Sequence, residues 1–307
     1  MKKTVFFSLV AACALASNAA AQVFTDSVVI GGVTYTFPYS VAGSAGGEYA
    51  VIEPGVSPKP SGQFAVPPKL GGLPVGGIGE RAFALADITE LAIPPGVMSV
   101  GKLAFDSNQE LKSVTIPCAV FDAAAFFACA NIESVTITPG AASTVWNSTL
   151  FAGDLTLRKL DVVAGVTAIG ANTFEGCEYL MELKLPRTIT SVGARAFANC
   201  LNMWRVEVPC ATINNNTFAG SDAIVEVTIV PGAHSTGWYE TAFFNKPNLK
   251  RLVIGEGVTS FSYFRGCANL SEVLLPDSLE TIGPEAFLNC TSLASITIPE
   301  GVRYIMT

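Results

Sequence analysis

Of the eight cysteines, seven lie beyond residue 21, and thiols are the most reactive side chains the chain offers. Five of them, Cys129, Cys177, Cys200, Cys267 and Cys290, each follow a phenylalanine by three positions. If neighbouring members sat on adjacent strands ~4.8 Å apart, bridges Cys177–Cys200 and Cys267–Cys290 would have acceptable geometry in an oxidising compartment. The other reading is a column of small buried thiols, which the odd total favours because at least one must stay unpaired. There is no C-x-x-C pair and only one histidine, His234. Zinc and dithiol redox sites therefore lack their ligands. No G-x-S-x-G elbow, phosphate loop or dinucleotide fingerprint occurs. The one catalytic chemistry left is a carboxylate pair acting on a glycoside, a carbohydrate-acting enzyme. The expectation is a non-catalytic chain without metal or cofactor.

The elements that position these residues form a repeat. Phe83, Phe105, Phe126, Phe151, Phe174, Phe197, Phe218, Phe243, Phe264 and Phe287 are spaced by 21 to 25 residues. Aliphatic side chains follow at fixed offsets of nine and eleven, as in Val114 and Ile116, Val206 and Val208, or Leu252 and Ile254. A polar residue between them gives the alternation of a strand with one buried face. Proline often ends that strand (Pro117, Pro186, Pro209, Pro276). One copy cannot bury its own apolar face, whereas stacked copies can. About ten rungs at ~4.8 Å each predict a solenoid roughly 48 Å long with a continuous parallel sheet. A longer period is superposed. Cys118 and Cys210, Pro139 and Pro231, and Trp146 and Trp238 are each 92 residues apart, so a block of four rungs has been duplicated.

The offsets also predict surface columns. Eight residues past successive phenylalanines stand Lys159, Glu182, Arg205, Glu226, Arg251 and Glu272, alternating in sign. Asp161, Lys184 and Glu207 add a second column. Adjacent parallel strands would pair these charges into a self-neutralised face, which argues against an isolated acid cluster. One place earlier, Met181, Trp204 and Val225 occupy three consecutive rungs, a candidate contact patch or a surface under a neighbouring loop. Trp146 and Trp238, with Tyr239, lie in the two long Pro-Gly rungs and would either contact a partner or plug their own loops. His234 has Ala142 as its duplicate and is read as a loop residue.

The copy Val192-Gly193-Ala194-Arg195-Ala196-Phe197-Ala198-Asn199-Cys200-Leu201-Asn202-Met203, then Val206-Glu207-Val208-Pro209, resembles the BspA-like leucine-rich repeats of bacterial surface proteins, as does Ile282 through Pro299. The resemblance spans residues 74–307. It implies an α/β-type, right-handed leucine-rich-repeat solenoid on a secreted or surface protein, linked to adhesion and binding of an extracellular protein or glycan. The two tryptophan insertions depart from it, as do Asn108, Asp154, Ser221 and Lys246 in place of the family cysteine.

The ends differ. Lys2 and Lys3, an apolar stretch from Thr4 to Ala16 and the Ala19-Ala20-Ala21 site read as a signal peptide over 1–21, cleaved after Ala21. Val10-Ala11-Ala12-Cys13 gives a second reading, a lipoprotein modified at Cys13. Residues 22–73 read as an N-terminal β cap, with a hairpin over Val28–Phe37 turning at Gly31-Gly32. Val302 to Ile305 begin an eleventh rung, whose edge would invite self-association with another chain. Half of the 307 residues are apolar and 14% are charged, as inward columns along a solenoid require. A net charge of −7 argues against nucleic acid. Past residue 22 no apolar run is long enough to span a membrane.

Overall fold

The computed structural model describes residues 22–44, 47–122, 124–140, 150–232, 236–237 and 241–306. Most repeats contribute one longer strand and one two-residue strand, joined by turns, and copies stack in parallel into a solenoid of about ten turns. The longer strands form two five-stranded sheets. One runs through Ser61–Ala65, Asp87–Ala92, Ser113–Pro117, Ser134–Thr138 and Lys159–Val162. The other runs through Glu182–Lys184, Arg205–Pro209, Glu226–Val230, Arg251–Ile254 and Glu272–Leu274. Register follows the sequence offsets: Val114 lies beside Val135, and Leu183, Val206, Val227, Leu252 and Val273 lie side by side. The expected sheet is therefore parallel but not continuous, because no hydrogen-bonded ladder joins Lys159–Val162 to Glu182–Lys184. Among the described residues the two-residue strands also fall into separate ladders, none joining Val120–Phe121 to Ala168–Ile169 or Thr212–Ile213 to Thr236–Gly237. In the two Pro-Gly rungs Gly140 and Gly232 sit so close to the backbone of Cys118 and Cys210 that a β-carbon would overlap it. Cys118 N donates to Thr138 O and Cys210 N to Val230 O, so the duplication holds in structure.

The α/β expectation is corrected: among the described residues there is no α-helix. The segments around the phenylalanines are chains of tight turns. Arg195, Asn199 and Ser107 have φ of 56°, and Leu103 has 55°. A left-handed residue every fourth position breaks the succession of right-handed residues a helix needs.

The phenylalanines form the axis of the core. From Phe83 to Phe264 each ring stacks on the next, with centroids 5.0 to 5.9 Å apart and planes within 23°. This spacing is close to the strand separation, so one residue type fills every level without strain. The hairpin expected over Val28–Phe37 is present within strands Phe24–Ile30 and Val33–Ser44, turning at Gly31 and Gly32 with φ of 58° and 84°. A third strand, Gly47–Ile52, is antiparallel to Val33–Ser44 and parallel to Leu73–Ile78. Ser61–Ala65 already belongs to the long sheet, and Phe64 packs 5.5 Å from Phe83.

A second column lies beside the rings. Three residues past every phenylalanine from Phe105 to Phe287 except Phe151, a side chain donates to the carbonyl of the preceding phenylalanine. Asn108 reaches Phe83 O (2.9 Å), Cys129 reaches Phe105 O (3.1 Å), and Cys177 reaches Phe151 O (3.2 Å). Cys200, Ser221, Lys246, Cys267 and Cys290 do the same for Phe174, Phe197, Phe218, Phe243 and Phe264. Lys246 is the costly member. Its side chain is 3% exposed, and burial holds its pKa below the usual lysine value, with Asp222 partly opposing the shift. The folded protein therefore releases this proton at a lower pH than the unfolded chain. The burial cost is complete below the folded pKa and fades as pH rises through it toward 10.5. Wild-type stability minus that of Lys246→Met is expected to rise between about pH 7 and about pH 10, by about 1.4 kcal/mol for each pH unit separating the two pKa values. Urea midpoints at both pH values check this, and equal differences would refute it.

Candidate binding surface

The residues that leave the turns and enter the second long sheet make one surface. Trp204 N donates to Met181 O (2.9 Å) and Val225 N to Trp204 O (2.8 Å), so the three expected patch residues lie on adjoining rungs. Met181 and Trp204 are 48% and 40% exposed, and Val225 is half-buried. The patch is bordered by cations. Arg158 lies over the Tyr179 ring at 5.1 Å, and Lys250 N donates to Val225 O. Tyr179 and Leu201 are exposed near it. Neither was singled out from the sequence. Both stand on the turns four and five places past a phenylalanine, and those columns hold the missed signal.

Alongside runs the charge ladder. Glu182, Arg205, Glu226, Arg251 and Glu272 are in register across five strands. Arg205 and Arg251 both bridge to Glu226 at 3.4 Å, and Arg251 reaches Glu272 at 3.2 Å. The bond to Glu272, with Glu226 beside it, holds the Arg251 pKa above its ordinary value. Lys184 pairs with Glu207 across strands, and Lys159 with Asp161 within one. Such exposed pairs contribute little stability, but they leave the sheet face nearly neutral around one apolar patch.

All seven of these cysteines are buried. Burial pushes the Cys129 and Cys267 thiols to about 11 and Cys200 to about 12, and raises Cys177 and Cys290 as well. Thiols held protonated in this way are poor nucleophiles and poor metal ligands. Among the described residues no group of three or more His, Cys, Asp or Glu is placed to hold a metal ion. Among the described residues no helix is long and apolar enough to cross a membrane. Trp146, Trp238, Tyr239, His234 and the whole of residues 1–21, with Cys13, lie outside the described residues.

The model of the BspA type leucine rich repeat region matches residues 76–162, 144–263 and 260–307, in 6 copies. The chain belongs to the BspA-type leucine-rich repeat family. Solved leucine-rich repeat structures are similar to it. A protein from Bacteroides ovatus is 17% identical over 88% of this chain and 89% of its own, with a TM-score of 0.37. One from Eubacterium ventriosum is 14% identical over 88% and 91%, at 0.38. A leucine rich cell surface protein from Faecalibacterium prausnitzii is 19% identical over 94% and 96%, at 0.33. No curated protein sequence matches this leucine-rich repeat chain.

Proposed function

We propose that this leucine-rich repeat chain is a non-catalytic recognition module, secreted or held at the cell surface, that binds an extracellular protein or glycan. The observation that carries this is the patch of exposed Met181 and Trp204 beside half-buried Val225 on a charge-paired face. Tryptophan in a patch of this kind is the residue type most often responsible for binding energy. Export is supported by the basic, apolar, A-x-A start of the chain. The test is a screen of residues 22–307 on extracellular-matrix protein and glycan arrays, beside a Trp204→Ala variant. A hit should weaken by about 30-fold in the variant, the loss of one hot spot of ~2 kcal/mol. An undiminished hit would remove the patch from the interface.

A second reading is self-association through the Tyr304–Ile305 strand. Tyr304, Ile305 and Met306 are all exposed beside the Thr281–Ile282 strand, which favours it. Light scattering on the same sample distinguishes the two: a dimer with no array hit supports assembly.

A further inference from the structure

One rung breaks the donor column. Phe126 O accepts from Cys129 N (3.1 Å), but the residue placed to donate from the next rung is Asp154, a carboxylate. From Phe83 to Phe264 it is the only one of these carbonyls, among the described residues, with no side-chain donor from the following rung. Asp154 turns one oxygen to Thr156 N (2.8 Å), Thr156 Oγ1 (2.8 Å) and Leu157 N (3.2 Å), and among the described residues it makes no ion pair. The backbone ladder is interrupted at the same level. Phe105 N and Ser107 N donate to the rung after them, and so do Phe151 N and Gly153 N. The Phe126 and Ala128 amides do not. Between the two rungs lies a cleft of about 630 Å³, walled by the exposed Phe127 and Leu155 and reaching Phe126 and Asp154.

The duplicated block shows what chemistry suits such a gap. Asp154 and Lys246 are equivalent residues 92 positions apart. Lys246 crosses between rungs, its Nζ 2.6 Å from Phe218 O, the equivalent of Phe126 O, and 3.5 Å from Asp222. An ammonium on an alkyl stem is thus the internal occupant of one copy. The other copy presents a carbonyl that lacks this side-chain donor, a carboxylate with no cationic partner among the described residues, and an apolar approach.

We propose that the cleft at Phe126 and Asp154 binds the lysine side chain of a partner protein, its ammonium bonded to the Phe126 carbonyl and the Asp154 carboxylate. The stem would lie against Phe127 and Leu155, whose apolar surface suits methylenes, and the acceptors would complete the ammonium's hydrogen bonds. The site is separate from the Trp204 patch and does not depend on that reading.

The test is calorimetric titration of residues 22–307 with Nα-acetyl-lysine methylamide, n-pentylamine and the uncharged norleucine analogue. Both amines should bind, and the norleucine analogue roughly tenfold or more weaker. Asp154→Asn keeps an oxygen for Thr156 and Leu157 and should weaken the amines about tenfold. Asp154→Lys copies the Lys246 arrangement and should abolish binding, while Trp204→Ala should leave it unchanged. Thermal melts confirm that each variant is folded, and Asp154→Asn alone decides the matter if Asp154→Lys is not. The proposal would be overturned by no saturation with either amine, by equal affinity for the norleucine analogue, or by indifference to Asp154→Asn. Binding of pentylamine but not of the lysine derivative would replace a protein lysine with a small free amine and overturn it equally.

Discussion

Phe197→Ala is expected to lower the unfolding free energy by about 4 kcal/mol. Phe197 is fully buried in the middle of the ring column, with Phe174 at 5.5 Å and Phe218 at 5.9 Å, both nearly parallel to it. Truncation removes the transfer energy of one ring and two stacking contacts. It also leaves a cavity that neighbouring rungs cannot close, because their backbones are tied by Phe197 N to Thr217 O and Phe174 N to Ala196 O. In a solenoid each level rests only on its neighbours, so the loss falls on two interfaces. Urea unfolding of residues 22–307 should show a lower midpoint and, because the weak level is central, separation into two transitions. Phe244→Ala, at a ring 38% exposed to solvent, is the control and should cost about 1 kcal/mol or less. A Phe197→Ala loss no larger than the control's would mean that the column is not the principal source of stability.

Much of the molecule can be read from the sequence, because parallel in-register stacking turns sequence offsets into spatial columns. The alternating charges from Glu182 to Glu272 meet across strands for that reason, and Met181, Trp204 and Val225 adjoin for the same one. What escapes is whatever does not follow the offset. The turn at Arg195 takes a left-handed backbone that its residue type does not announce, and this hides the absence of helix. Ser61–Ala65 joins the long sheet without carrying the repeat's own spacing. Asn108, Ser221 and Lys246 look in sequence like losses of a family cysteine. In space they keep its one requirement, a donor aimed at a phenylalanine carbonyl, through an amide, a hydroxyl and an ammonium. Only with that carbonyl on view does Asp154 stand out as the exception.

Gly193→Ala should destabilise the protein by about 3 kcal/mol, and for a steric rather than a conformational reason. Gly193 follows the Ser191–Val192 strand, and its amide donates to Ile169 O at 2.9 Å. A β-carbon there would lie 2.6 Å from both Gly170 C and Ala171 Cα, and closer still to Ala171 N. All three are backbone atoms of the preceding rung, so no side chain can rotate away. The rungs must separate, which stretches the Ser191–Val192 ladder on Ala168–Ile169 and loosens the rings of Phe174 and Phe197 behind it. Gly153→Ala is the complementary case. Its φ is +74°, and nothing lies within 4 Å of the added carbon, so only the left-handed backbone is penalised, at about 1 kcal/mol. Thermal melts of the two variants in parallel separate the mechanisms. A cost for Gly193→Ala no greater than for Gly153→Ala would mean that adjacent rungs slide apart readily. Tight stacking could then not account for the repeat's Val-Gly turn.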